Sequence, residues 1–142
     1  MEKFFLGLFS TALQPGEILT EIRIPTPPPR SGGAYVKLER KVGDYATAAT
    51  AAQVELGPKG VFARAGIALT NAGPTPVQCT AAEQSLIGKK PSDAAFAEAG
   101  RLAAEAAAPN ADRRGSVEYK KQMARVLTMR ALKTAVQRAE GK

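Results

Sequence analysis

The sequence predicts an α+β fold, an antiparallel sheet of three to four strands followed by three helices packed on it as a two-layer sandwich. Apolar residues recur with a period of two within residues 17–70 and with a helical period within 80–140. The two patterns do not interleave, which favours segregated layers over a doubly wound parallel sheet. A turn sequence, Gly57-Pro58-Lys59-Gly60, sits between two strand-like runs. Its glycines are able to take positive φ, so it reads as the bend of a hairpin.

The elements follow in order. Ile18, Thr20, Ile22 and Ile24 alternate with Leu19, Glu21 and Arg23 as in a half-buried strand. The run Pro25-Thr26-Pro27-Pro28-Pro29 ends it, because proline cannot donate to a ladder. Arg30-Ser31-Gly32-Gly33 reads as a loop, and residues 34–38 as a second strand in which Val36 and Leu38 flank Lys37. Residues 46–56 and 61–69 form the hairpin, and Asn71-Ala72-Gly73-Pro74-Thr75-Pro76 marks the change to helices. Thr80 and Glu83 have the spacing of a capping box, with Gly88 closing the helix they open. Ser92 caps a second helix that must end before Pro109, and Ser116 caps a third. In the third, Tyr119, Met123, Leu127, Ala131 and Ala135 form a stripe that Val126 and Val136 widen. Lys120, Lys121, Arg125, Lys133 and Arg138 lie mostly off it and read as a solvated basic face.

At 142 residues and 44% hydrophobic, the chain suits a single domain with one modest core. No apolar stretch approaches the roughly 18 residues of a membrane span, and no secretory leader is evident, so the expected location is cytoplasmic. The single cysteine, Cys79, excludes an internal disulfide and a cysteine-ligated cluster held by this chain alone. Histidine is absent, which removes the usual base for serine and cysteine nucleophiles and the commonest catalytic metal ligand. Independent catalysis is therefore not expected. The net charge of +7 admits nucleic acid, an acidic surface or an anionic ligand as partner. The basic residues are spread along the chain, however, and five Phe and three Tyr are the only aromatic platforms. That argues against nucleic acid, where both features cluster.

Two segments stand apart. The first nine residues, MEKFFLGLF, hold Phe4, Phe5, Leu6, Leu8 and Phe9 where chain starts are normally polar. Either they fold back over the sheet as an edge strand or helix, or they pack against a further domain; otherwise the isolated chain should self-associate through them. The second is KLERKVGDYATAATAAQVEL, residues 37–56, in which a charged loop runs directly into a strand of Ala and Thr. Cations beside a surface with little side-chain volume suit an electron-rich or anionic guest. Small residues also let a helix pack close to a sheet, and that is the preferred reading of the alanines and threonines.

The blocks FFLGLFSTALQPGEILTEIRIP, GGAYVKLERKVGDYATAATAA, IALTNAGPTPVQCTAAEQSLIG and DRRGSVEYKKQMARVLTMRAL together resemble one family. It is the C-terminal domain of the FAD-binding medium subunit of molybdenum hydroxylases, the xanthine dehydrogenase and aerobic carbon monoxide dehydrogenase group; RKVGDYATA is nearest the latter. The resemblance spans residues 1–142 and implies strands followed by three helices. It implies a role in enclosing FAD in an electron-transfer subunit, beside an iron-sulfur small subunit and a molybdenum large subunit. Residues 1–16 would connect to an N-terminal FAD-binding lobe that supplies most pyrophosphate contacts, so the chain alone should bind FAD weakly or not at all.

By the same resemblance Lys37 lies beside the flavin ring or its ribityl chain, and Leu19 contacts the flavin through apolar surface or backbone. Tyr45 is placed to pack against a ring face or edge, while Asp44 orients Arg40 or Lys41. A cation about 4 Å from an electron-rich ring, at an effective dielectric of about 20, attracts it by about 4 kcal/mol. For Arg40, Lys41 and Asp44 a loop-stabilising charge cluster is an equal alternative, and for Leu19 a place in a strand core. A cofactor-free interaction or dimerisation module of the same fold is the rival reading of the whole chain.

Overall fold

The computed structural model describes residues 4–141. Residues 1–3 of the segment expected to connect to a further lobe, together with Lys142, lie outside the described residues. A short hairpin of β1 (Phe5–Gly7) and β2 (Ser10–Thr11) comes first. It is followed by β3 (Ser31–Leu38), β4 (Ala48–Leu56), β5 (Phe62–Thr70) and β6 (Val77–Gln78), and then by α1 (Thr80–Leu86), α2 (Asp93–Ala106) and α3 (Val117–Ala139). The four later strands form one antiparallel sheet in the order β3-β4-β5-β6. The expected α+β architecture is therefore present.

Alternation along the strands decides which side chains meet the helices. Gly32, Ala34 and Val36 of β3, Ala48, Thr50, Ala52 and Val54 of β4, and Ile67 and Leu69 of β5 face them and form the core with Phe62. Gly33, Tyr35 and Lys37, with their register partners Gln53, Ala51 and Ala49, lie on the other face. α3 lies across β3 and β4, α1 against β5, and α2 packs on both helices. Phe96 of α2 meets Phe62 edge-on, with ring centroids 6.5 Å apart.

The small residues serve this packing, as the sequence suggested. A Cβ on Gly32 would enter the Ala135 carbonyl oxygen and approach the Ala139 nitrogen to 2.5 Å, so the helix backbone rests almost directly on β3. Ala124, Thr128, Ala131, Ala135 and Ala139 line the helix face that makes this approach possible. The Thr50 and Thr128 hydroxyls, both fully buried, pair at 3.4 Å across the layer boundary.

Several boundaries differ from the sequence reading. Residues 18–24 form no strand: Ile18, Ile22 and Ile24 are 80%, 58% and 85% exposed and the segment joins no ladder. Alternation licenses a strand only where a neighbouring strand satisfies its backbone, and no described residues do so here. β3 begins at Ser31, so Gly32 and Gly33 lie inside a strand rather than in a loop before it. β6, in residues the sequence reading assigned to no element, adds a short edge.

The expected capping box is also absent. α1 has Cys79 at its N-cap with no side-chain hydrogen bond. Glu83 instead accepts from the Ile67 N–H at 2.8 Å and from Gln78 Nε2 at 3.1 Å. The two-residue β6 is too short to satisfy all of β5, and the carboxylate supplies an acceptor that the ladder lacks. Ser92 and Ser116 do cap their helices, each accepting at 3.2 Å from the N–H three residues on. Gly88 takes φ +77, as expected of a residue that closes a helix.

On α3 the predicted stripe is only half right. Leu127, Ala131, Ala135 and Val136 are buried, but Tyr119 is 44% exposed, and the first turns bury Lys120 and Ala124 instead. A strict four-residue spacing advances about 40° around a helix per step, so over four steps it winds off any fixed face.

Candidate functional site

β3 ends in a loop, residues 39–47, that returns to β4 through a hydrogen bond from Thr47 N–H to the Leu38 carbonyl, 2.8 Å. Gly43, at φ +84, permits the turn in which Asp44 N–H donates to the Lys41 carbonyl at 3.0 Å. Within this loop the Asp44 carboxylate is the organising acceptor. Its Oδ1 receives the Tyr45 N–H at 2.8 Å, and its Oδ2 receives Arg40 Nε at 3.1 Å. Of the two partners foreseen for Asp44, Arg40 takes the role and Lys41 contributes its backbone carbonyl.

Lys37 stands on the open sheet face at the end of β3. Its Nζ donates to the Asp44 carbonyl at 3.1 Å and lies 2.6 Å from Glu39 Oε2. The side chain is 30% exposed, so the ammonium is held in place yet reachable. Tyr45 (84% exposed) and Val42 (95%) offer apolar surface from the same loop. Lys37, Arg40, Asp44 and Tyr45 are therefore brought together. Leu19 is not tied to them: it is 54% exposed on the extended segment, and no hydrogen bond among the described residues links it to the loop. Nor does Leu19 lie in a strand core among the described residues.

Three further members come from the turn before α3 and from that helix. Arg114 Nη2 donates to Asp44 Oδ1 at 3.0 Å, and its guanidinium carbon lies 5.9 Å from the Tyr45 ring centroid, within cation–π reach. The Arg114 N–H donates to Asp112 Oδ1 at 2.7 Å, and Asp112 Oδ2 pairs with Lys120 Nζ at 2.8 Å. Lys120, 2% exposed, also donates to the Asn110 carbonyl at 2.8 Å, so it belongs to this cluster and not to a solvated face. Burying an ammonium is costly unless it is paired and hydrogen-bonded, and here it is both. Glu39, Asp112, Arg114 and Lys120 escaped the sequence reading. The available signal was Lys120 itself, a lysine one turn ahead of Ala124 on the core face.

The arrangement fixes the titration of its acids. The Arg114 hydrogen bond, then that of Arg40, holds Asp44 below its ordinary value of 3.8. Lys120, then the Arg114 N–H, does the same for Asp112. A lowered folded-state pKa adds stability that is fully present above the unfolded value and lost as pH falls through the folded one. The melting-temperature difference between the native protein and Asp44→Asn should therefore be constant from pH 7 to 5 and shrink below about 3.8. A difference that is flat through that acid range would show that the Asp44 carboxylate contributes nothing as an anion.

The open face also carries a shallow cavity of about 680 Å³ lined by Tyr35, Ala51, Gln53, Ala68 and Arg138 among others. It lies farther along the sheet, and neither Lys37 nor Tyr45 lines it. The cation cluster and the hollow are separate features. No helix among the described residues is long and apolar enough to cross a membrane.

Comparison with known proteins gives this geometry a context. Residues 33–135 match the family described as the CO dehydrogenase flavoprotein C-terminal domain. The carbon monoxide dehydrogenase medium chain of Afipia carboxidovorans is 43% identical over 137 residues, covering 96% of this chain and 47% of that one. The solved carbon monoxide dehydrogenase of Hydrogenophaga pseudoflava that lacks the Mo-pyranopterin moiety superposes with a TM-score of 0.92 at 39% identity, over 96% of this chain and 47% of that one. Reconstituted CO dehydrogenase from Oligotropha carboxidovorans gives 0.90 at 43% identity, with the same coverage. The chain thus spans about half the length of these relatives. With the family match over residues 33–135, and with sequence identity and superposition that extend over nearly its whole length, the chain belongs to the CO dehydrogenase flavoprotein C-terminal domain family.

Proposed function

We propose that this chain acts as the C-terminal part of an FAD-carrying electron-transfer subunit, and that Lys37 faces the flavin. The observation that carries the reading is the fixed ammonium of Lys37 at the end of the open sheet face, in a chain matched by flavoprotein relatives. The residues fit such a guest. An ammonium has three donors, and Glu39 with the Asp44 carbonyl leaves one for an electron-rich ring. The exposed Tyr45 ring and Val42 supply apolar surface beside it. Bound FAD would accept electrons and pass them on. Lys37 would favour electron density on the ring, Tyr45 would pack against it, and Arg40 and Asp44 would hold the loop. Leu19 would reach the flavin only if residues 17–24 are drawn into a larger sheet.

In this reading the N-terminal half of a longer polypeptide supplies most of the binding to FAD. The exposed Phe5, Leu6, Leu8, Phe9, Ile18 and Ile22 are the surface that docks onto it. An iron-sulfur small subunit and a molybdenum large subunit complete a cytoplasmic assembly that hydroxylates a small substrate. The medium-chain relatives support this, and the large apolar exposure supports docking.

The test is a redox titration of the complete subunit. The 142-residue chain alone should purify colourless and self-associate through its apolar N-terminal residues, since three side chains do not offset the freedom lost on binding FAD. In the complete subunit, Lys37→Ala should keep the flavin and lower its potential by on the order of 30 mV, about 1.4 kcal/mol for a two-electron couple. This is well below the bare Coulomb value because Glu39 partly neutralises the cation. An unchanged potential with unchanged flavin content would remove Lys37 from the site.

A further inference from the structure

Asn71 Nδ2 fixes the end of the loop that holds Lys37, donating to the Ala46 and Thr47 carbonyls at 2.7 and 3.2 Å, but residues 40–45 have little of their own to stand on. Val42 and Tyr45 are almost wholly solvated, and a positive-φ glycine sits between them. Arg40, 65% exposed, pairs with Asp44 from within the same loop, so it stiffens the loop without fixing it to the body of the domain. Arg114 differs in all these respects. Its side chain is 23% exposed and reaches Asp44 across seventy residues of sequence. Its own backbone is fastened to Asp112, and Asp112 to the buried Lys120 of α3.

We propose that Arg114 is a positioning residue for Lys37: it clamps Asp44 from the turn ahead of α3, and the clamped Asp44 carbonyl holds the Lys37 ammonium. The path is continuous. Lys120 anchors Asp112, Asp112 anchors the Arg114 backbone, the Arg114 guanidinium grips the Asp44 carboxylate, and the next acceptor along the same residue binds Lys37 Nζ. The guanidinium suits the task, since its Nη2 bonds the carboxylate while its carbon stands 5.9 Å from the Tyr45 ring centroid. Helix α3, which carries no group that reaches Lys37 directly, thereby sets where the cation stands. This inference rests on the flavin reading for its functional meaning, though the clamp itself is independent of any ligand.

Two measurements separate the two ideas. In the complete subunit, the flavin potential is compared for Arg114→Gln, Arg114→Lys, Lys37→Ala and the double variant Arg114→Gln/Lys37→Ala. Arg114→Gln should lower the potential in the direction of Lys37→Ala, the double variant should go no further than Lys37→Ala alone, and Arg114→Lys should recover part of the shift. In the 142-residue chain, the rate at which acetic anhydride acetylates Lys37 is followed by mass spectrometry. It should rise severalfold in Arg114→Gln and less in Arg114→Lys. A potential that responds to Lys37→Ala but not to Arg114→Gln, or shifts that simply add, would overturn the proposal and leave the flavin reading standing. If Lys37→Ala itself leaves the potential unchanged, the flavin reading fails, and the acetylation rate decides the clamp: a rise supports it, and no change overturns it.

Discussion

Replacing Gly32 by alanine should destabilise the domain by about 3 kcal/mol, the upper end of the usual cost of overpacking, with a fall in melting temperature of about 10 °C. The added methyl would meet the Ala135 carbonyl oxygen, the Ala139 nitrogen at 2.5 Å and Arg138 Cβ at 3.0 Å. Two of these are helix backbone, which cannot turn aside as a flexible side chain does. α3 would have to lift from β3, and its alanine face would lose the contact that Gly32 allows. The control is Gly66→Ala on the open face, where a Cβ meets nothing within 4 Å. That change should be neutral or slightly stabilising, because alanine restricts the unfolded chain. Equal thermal shifts for the two variants would refute the account of why helix and sheet lie so close.

The second large effect is expected at Lys120. Lys120→Ala removes a buried aliphatic stem, the hydrogen bond to the Asn110 carbonyl and the counter-charge of Asp112, and should cost about 3 kcal/mol in urea unfolding with an unchanged slope. Asp112 is 40% exposed and can rehydrate, so removing the lysine leaves no stranded charge. The opposite change, Asp112→Ala, leaves the ammonium buried without its counter-ion and should be the more damaging of the two. Lys120→Met keeps most of the buried stem and loses only the polar part, so it should fall between Lys120→Ala and the native protein. If Lys120→Met and Lys120→Ala are equally destabilising, packing of the stem contributes little. If neither is destabilising, the buried pair is not a support of the turn that presents Arg114.

The loop around Lys37 shows how far sequence reasoning reaches. Lys37, Arg40, Asp44 and Tyr45 lie within nine residues of one another, so a turn alone brings them together and their ion pair is legible from spacing. The partners that fasten the loop come from farther along the chain, Asn71 on the Ala46 and Thr47 carbonyls and Arg114 on Asp44 seventy residues away, and no local pattern pairs Asp44 with Arg114. Lys120 was misread for the same reason. An exposed lysine and a buried one look alike until the turn at 110–115 supplies an anion and a carbonyl to meet it.

Local chemistry by itself determined the β4–β5 hairpin, the two serine caps and the order of strands before helices, because each depends on residues close in sequence: alternation, a glycine turn, a hydroxyl three residues from an orphan N–H. Only the tertiary structure decided which strand-like run becomes a strand. Residues 18–24 carry the alternation and stay unpaired for want of a neighbour, while Gly32 and Gly33, poor strand formers, join β3 because β4 pairs with their backbone, and α3 lies too close to Gly32 for any side chain there. It also decided that Glu83 serves the sheet edge instead of its own helix, since the short β6 leaves the Ile67 N–H in need of an acceptor.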